Sequence, residues 1–175
     1  VDLMVFVGTD RRVVHGASTD EVGGVHRGVP EGFTEHLRAD SPLLDLPDTE
    51  ASQRGILFAA GRPYPTASSP IITSEDRGPI RGTLIMGRRI DDDQIRTIGI
   101  RTGVPTVADV YVAARDSGVL ASPELVAPGV PGQVTTLQNT VLARALLRDA
   151  YGDPGIVLST YTDRSVHRQG MWSLR

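Results

Sequence analysis

The residues able to do chemistry are few, and their spacing narrows them further. Four histidines stand at positions 15, 26, 36 and 167, with no i,i+4 pair and no His-Glu-x-x-His run to hold a metal on one helical face. Glu35-His36 is an isolated pair on a predicted helix and reads as solvated surface. Asp91-Asp92-Asp93 offers carboxylates to a divalent cation, but a calcium loop needs ligands at alternating positions around a glycine turn. The triplet directly precedes a helical pattern, where carboxylates cap the first turn. No metal and no cofactor is expected. For covalent catalysis the inventory is poor. There is no cysteine, and the 18 basic residues are all arginine, which removes thiol nucleophiles, thiolate zinc sites, Fe–S clusters, Schiff-base lysines and Ser–Lys dyads. Ser68-Ser69 falls in a predicted strand rather than in the strained turn of a Gly-x-Ser-x-Gly elbow. Gly23-Gly24 and Gly129-Val130-Pro131-Gly132 lack the strand-then-helix setting of a phosphate cradle. The expectation is a non-catalytic domain, and a Ser–His–Asp geometry built on His15, His26, His36 or His167 would overturn it.

More is offered by a predicted hairpin over residues 64–89. With its turn near residue 76, Tyr64, Thr66 and Ser68 share a face with Arg81, Thr83 and Ile85. The other face carries Ala67, Ile71, Ile80, Leu84, Met86 and Arg88. Two readings stand: an ordinary half-buried sheet with its polar side out, or a sheet roofed by helices at 30–46 that encloses a small ligand. On the second reading the ligand is lined by some of Phe58, Tyr64, Ser68, Met86 and Arg88. Tyr64 and Ser68 supply hydroxyls, and Arg88 is suited to a carboxylate or phosphate in bidentate fashion. The two sheet faces cannot line one cavity, so these five cannot all belong.

The elements that must position them follow from pattern and punctuation. Val1–Val7 and Arg12–Gly16 flank Gly8-Thr9-Asp10 and read as a hairpin. Pro30-Glu31-Gly32-Phe33 opens a helical pattern to Leu37, and Pro42 starts a second short piece, at a position where its missing N–H costs nothing. Strands are expected over 55–60, 64–73 and 80–89, and the prolines at 63 and 65 suggest that the second begins at a sheet edge. A helix over 94–102 is capped by the Asp triplet and closed by Gly103. Residues 104–135 are the least legible: 110–114 fits strand or helix, and Pro123 to Gly132 reads as loop. Thr140 to Arg148 is apolar without a clean period, Ala150-Tyr151-Gly152-Asp153-Pro154-Gly155 is a turn, Ile156 to Thr162 a strand, and Asp163 caps a final helix to Arg175. The fold class is therefore an antiparallel α+β domain with the 54–89 strands central.

Composition sets the outer limits. A chain of 175 residues fits one domain and can bury roughly 70% of its unfolded surface. With 39% hydrophobic and 22% charged residues it is globular rather than disordered. Gly 19 and Pro 12 together argue for many turns and against a long-helix bundle. A net charge of −3 argues against a nucleic-acid partner. No apolar run reaches the ~20 residues of a membrane span. The chain opens at Val1 inside an apolar run and stops at Arg175 inside a predicted helix, which suggests a piece of something longer.

The order and wording of several motifs resemble a known family. They are Leu3 to Val14; Ala39-Asp40-Ser41-Pro42-Leu43-Leu44; Ala67-Ser68-Ser69-Pro70-Ile71-Ile72; Arg81-Gly82-Thr83-Leu84-Ile85-Met86-Gly87-Arg88 before an acidic helix start; Leu147 to Pro154; and Arg164 to Gly170. Together they resemble the cyclase/histidine-kinase-associated sensory extracellular domain, type four, of bacterial and archaeal receptors. Residues 104–140 carry no such likeness, and Asp163-Arg164 stands where the family pattern has Pro-Arg. The resemblance implies a Cache/PAS-like antiparallel sheet flanked by helices, forming one extracytoplasmic sensor domain over 1–175. It implies the input of a membrane receptor whose output is a histidine kinase or a cyclic-di-GMP enzyme, tied to the membrane by flanking helices, homodimeric in the full receptor, and bound to a small molecule of unknown identity. Trp172 near the chain end suits a membrane–water interface, and Val1 and Arg175 should then lie on the same side of the domain. A structural or dimerisation module without a ligand and a small hydrolase are the alternatives.

Overall fold

The computed structural model describes residues 1–19, 24–74, 78–122, 125–127 and 129–163. The chain divides into two compact units, one of residues 1–90 with Asp149–Asp153, the other of Asp91–Arg148 with the residues from Pro154 onward. The sequence reading treats 1–175 as one domain; the contacts group the chain as two.

The first unit is a six-stranded antiparallel sheet. Its strands are β1 (Leu3–Gly8), β2 (Val13–Thr19), β3 (Val25–Arg27), β4 (Gln53–Ala59), β5 (Arg62–Ile71) and β6 (Gly82–Gly87), in the order β3-β2-β1-β6-β5-β4. β1 alternates cleanly, with Leu3, Val5 and Val7 inward, and each such burial contributes about 1.5–3 kcal/mol. The chain centre is therefore β1 and β6, while β4 is an edge; the expectation that all of 54–89 is central is corrected. β5 is an interior strand despite Pro63 and Pro65. Their carbonyls accept from Ile90 N–H (3.1 Å) and Arg88 N–H (3.0 Å), so the donors that proline lacks face a short extended segment beyond β6 rather than the ladder.

Two 3-10 turns, Phe33–Leu37 and Pro42–Leu44, stand where helices are expected over 30–46. Gly32 enters the first at φ 79°, a left-handed conformation that glycine takes without strain. Phe33, Leu37 and Leu43 from these turns join Leu3, Val5, Val7, Leu57, Ala59, Tyr64 and Ile85 in one buried cluster. They roof the inner sheet face.

The second unit holds α1 (Asp92–Thr102), β7 (Thr106–Val110), α2 (Ala113–Leu120), β8 (Leu125–Ala127), β9 (Val130–Thr136), β10 (Thr140–Arg148) and β11 (Pro154–Asp163), with an antiparallel sheet ordered β7-β11-β10-β9-β8. α1 starts as expected: Asp91 accepts from Gln94 N–H at 2.8 Å, and Gly103 closes the helix at φ 70°. Residues 123–132, read as loop, contain β8 and the start of β9. Residues 106–120 resolve into a strand and then a helix rather than one element. Val119, Leu146 and Val157 form the core cluster here, with Tyr111 packed against it. Asp163 is the last residue of β11. The expected final helix, and with it Trp172 and the position of Arg175 relative to Val1, lies outside the described residues.

Both units wind alike. In each, the first strand pairs with the last, and the last with the one before it (β1-β6-β5-β4 and β7-β11-β10-β9). No repeat is visible in the residues that build them.

Candidate functional site

The hairpin register settles which residues share a face. Ser68 stands opposite Ile85 and Thr66 opposite Gly87, while Ala67 faces Met86 and Ser69 faces Leu84. The expected grouping holds, but the burial is the reverse of a polar-side-out sheet. Tyr64, Thr66, Ser68 and Thr83 are buried under the roof, whereas Ala67 and Met86 are exposed. Hydroxyls can occupy a core face when each finds a carbonyl. Ser68 Oγ donates to Leu43 O at 2.6 Å and Thr66 Oγ1 to Gly55 O at 3.1 Å.

Of the five ligand residues expected, Tyr64 and Ser68 therefore face the roofed interior. Met86 and Arg88 lie on the opposite face, Arg88 exposed and Phe58 half-buried; Phe58 alternates with the inward Leu57 and Ala59. The five do not converge. Sequence reasoning passed over Ser41, which enters the second roof turn, is 3% exposed, and has a buried Oγ with no hydrogen-bond partner. Such an orphaned hydroxyl costs about 1–3 kcal/mol.

Beside the roof, His36 is fixed at both ring nitrogens. Nε2 lies 2.8 Å from Phe58 O and Nδ1 3.1 Å from the Tyr151 hydroxyl, which suits a ring that donates from Nε2 and accepts at Nδ1. The His36 and Tyr151 rings stack with centroids 5.6 Å apart, and the Arg38 guanidinium sits 4.3 Å from the Tyr151 centroid. Ala150 N–H donates to Ile56 O at 2.9 Å. The turn Asp149–Asp153 and His36 together occupy carbonyls along the outer edge of β4, which blunts an exposed strand edge. The expected surface histidine is thus a structural one. His15 packs its ring on Phe6, and His167 lies outside the described residues.

In the second unit the strongest electrostatic feature is Asp116, wholly inaccessible on α2. Its carboxylate accepts from Val112 N–H (2.9 Å), from Arg115 Nε (3.0 Å) and Nη2 (2.9 Å), and from Arg144 Nη2 of β10. The Arg115 hydrogen bonds hold the carboxyl well below the usual carboxylate range, outweighing the burial that acts against them, with help from Val112 N–H and Arg144. Arg115 is raised in turn, chiefly by its bond to Asp116. Here Val112 supplies no capping side chain, so Asp116 reaches back to cap the helix. Among the described residues no group of three or more His, Asp or Glu is placed to hold a metal ion.

These observations describe an antiparallel sheet with a roofed inner face, followed by a second unit of the same winding. The sequence profile of the CHASE4 domain matches residues 1–107. The chain belongs to the CHASE4 family. CHASE4 is the type-four sensory extracellular domain that the motifs resemble. Across its whole length this CHASE4 chain is 24% identical to the methanogenesis regulatory histidine kinase FilI of Methanothrix harundinacea (strain 6Ac), and it spans 19% of that protein's length. Two solved structures share its fold. One is assigned as the extracellular domain of the histidine kinase vpHK1S-Z8; the other is a domain of a sensory box/GGDEF family protein from Vibrio parahaemolyticus. Each has a TM-score of 0.50 at 11% identity and covers 93% of this chain, which in turn covers 68% of the first and 71% of the second. The fold is that of Cache/PAS-like sensor domains, α+β as expected. Among the described residues no helix is long and apolar enough to cross a membrane.

Proposed function

We propose that this CHASE4 chain is the extracytoplasmic input region of a membrane-bound signalling receptor, with both units forming one sensory region. A small polar molecule is taken beneath the roof of the first unit, and the chain performs no catalysis itself. The observation that carries the ligand reading is Ser41: a buried hydroxyl without a partner in the roof, whereas the buried hydroxyls of Thr66 and Ser68 on β5 beneath it bond to carbonyls. A ligand or water that pairs with Ser41 Oγ relieves that cost. Ligand that prefers one arrangement of the roof shifts a two-state equilibrium, and about 1–3 kcal/mol of differential binding is enough for a useful response. In the full receptor the chain would be dimeric and anchored by flanking membrane helices.

The test is a thermal-shift screen of small polar metabolites against the wild type and Ser41→Ala. A ligand that stabilises the first and not the second supports the reading. A second reading, a structural or dimerisation module, is favoured by the packing of Phe33, Leu37 and Leu43 directly onto Tyr64 and Ile85. It is supported if nothing in the screen stabilises the chain while Ser41→Ala raises Tm.

A further inference from the structure

The two sheets treat their edges differently. The outer edge of β4 is occupied by Ala150 N–H and His36, whereas β7, an edge of the second sheet, borders an open groove of about 760 Å³. One wall is a stripe of α1: Asp92, Ile95, Arg96, Gly99, Ile100 and Gly103. The other is the run from Pro105 to Asp109. Successive strand residues point to opposite faces, so four consecutive residues of β7 can line one groove only if the strand presents its edge.

The hydrogen bonds fix which backbone groups lie on that edge. Tyr161 N–H donates to Pro105 O and Tyr111 N–H to Gly155 O, and Thr106, Ala108 and Val110 stand opposite Thr160, Leu158 and Ile156. These are the non-hydrogen-bonded pairs of an antiparallel ladder, so the N–H and C=O of Thr106, Ala108 and Val110 point away from β11. Val110 O already accepts from Arg115 Nη2 at 3.1 Å. Among the described residues the Ala108 N–H and C=O and the Thr106 C=O are left open toward the groove, while the Thr106 N–H is covered by Gly99 of α1. α1 closes on β7 only at one end, where Val104 N–H donates to Gly99 O and a Cβ on Gly99 would stand 3.3 Å from Thr106 N.

Charge narrows the occupant. Arg96 is paired with Asp93 at 3.3 Å, and Arg115 is spent chiefly on Asp116. Asp92 and Asp109 line the groove with Arg96 as the one basic residue of its lining, so two carboxylates stand against one guanidinium there, and Asp109 also feels the Arg115 charge. Ile100 and Val107 add exposed apolar surface between them. We propose that this groove is a strand-addition site: it takes a short extended polypeptide segment bearing Arg or Lys, which pairs with Thr106 and Ala108 as an added strand beside β7. Backbone pairing would give affinity and the two carboxylates would select basic side chains. At about 3.3 Å per residue, the four-residue edge accommodates four or five residues of the incoming strand.

The probe is a panel of fluorescently labelled, acetylated pentapeptides of the pattern X-Arg-X-Arg-X with X as Thr, Val or Ile, titrated by anisotropy into the 175-residue chain. Expected are saturable binding, loss of at least tenfold when the central residue of the peptide is N-methylated, and loss of threefold or more when Arg is replaced by Glu. In amide-exchange NMR the Ala108 N–H should gain protection on peptide addition. Ala108→Pro should abolish binding; because this N–H points away from β11, the substitution removes no ladder bond. Asp92→Asn with Asp109→Asn should weaken binding and flatten its salt dependence. The proposal is overturned if no peptide of the panel binds below about 1 mM. It is also overturned if N-methylation has no effect, or if the chain proves to be a dimer that Ala108→Pro dissociates, since the edge then belongs to a second copy. The groove is lined by residues of the second unit and Ser41 belongs to the first, so Ser41→Ala is expected to leave peptide binding unchanged.

Discussion

Replacing Asp116 by Asn removes one negative charge while keeping the shape of the side chain. The carboxamide oxygen can still accept from Val112 N–H, so the helix cap survives. The NH₂ group, however, must face guanidinium donors of Arg115 or Arg144, and a donor opposite a donor holds nothing. Arg115, with its side chain 51% exposed, can turn to water; Arg144, at 20%, cannot do so fully. Breaking a buried ion pair costs about 3–5 kcal/mol, and the partial exposure of Arg115 argues for the lower end, about 3 kcal/mol. In a unit of this size 1 kcal/mol moves Tm by about 4–8 °C, so a fall on the order of 15 °C is expected, with amide-exchange protection lost first in α2 and β10. The pH dependence has a definite sign. The folded-state pKa of Asp116 is lowered, so its contribution is complete above the unfolded value near 4 and lost as pH falls through the folded one. Wild type and Asp116→Asn should therefore differ most near neutrality and converge on acidification. Asp116→Asn combined with Arg144→Met should recover part of the loss, because no cation is then left stranded. Urea melts at pH 7 and pH 3 decide it: a loss under 1 kcal/mol at pH 7, or an equal gap at both pH values, would refute the assignment of Asp116 as a paired, ionised anchor.

Three further outcomes are expected. Phe33→Ala, which empties the roof, should cost about 3–5 kcal/mol and expose the inner face of the first sheet to a hydrophobic dye. Gly82→Ala should destabilise the chain by more than its size suggests, because its Cβ would run into Val7 O across the β1–β6 ladder; loss of exchange protection in β1 is the readout. Asp91→Ala removes the cap on Gln94 N–H and should cost about 1 kcal/mol, seen as a lower urea midpoint with an unchanged m-value.

What could be read from the sequence was local. The Asp91 cap, the Gly103 stop, the β1–β2 and β5–β6 hairpins and the face shared by Tyr64, Thr66 and Ser68 all follow from turn residues and period-two spacing. The direction of that face did not, because Ser68 and Thr66 are buried by carbonyls of Leu43 and Gly55, 25 and 11 residues away, and no periodicity encodes those. Between 104 and 135 the elements are too short to show a period: β8 has three residues and α2 eight. The N-cap position of α2 is also held by Val112, so the usual capping signal is absent and the capping carboxylate stands four residues later. β10 lacks alternation because it is flanked on both sides in the sheet and is partly covered along most of its length. Asp116 and Arg144 are 28 residues apart, and nothing in either neighbourhood announces the other. The five expected ligand residues do not converge for a related reason: residue type points to Phe58, Met86 and Arg88, while only register assigns a face.

The five residues Asp149–Asp153 belong to the first unit although the strands on either side of them belong to the second. During synthesis, residues 1–90 emerge with the outer edge of β4 covered only by His36 at Phe58 O, since the N–H of Ala150 that occupies Ile56 O and the Tyr151 hydroxyl that holds His36 do not yet exist. The match to the family profile also ends, at residue 107, before this closure is encoded. The nascent first sheet must therefore persist with a half-guarded edge while about sixty more residues are made, which at 5–20 residues per second is a window of several seconds in which a neighbouring chain could pair with it.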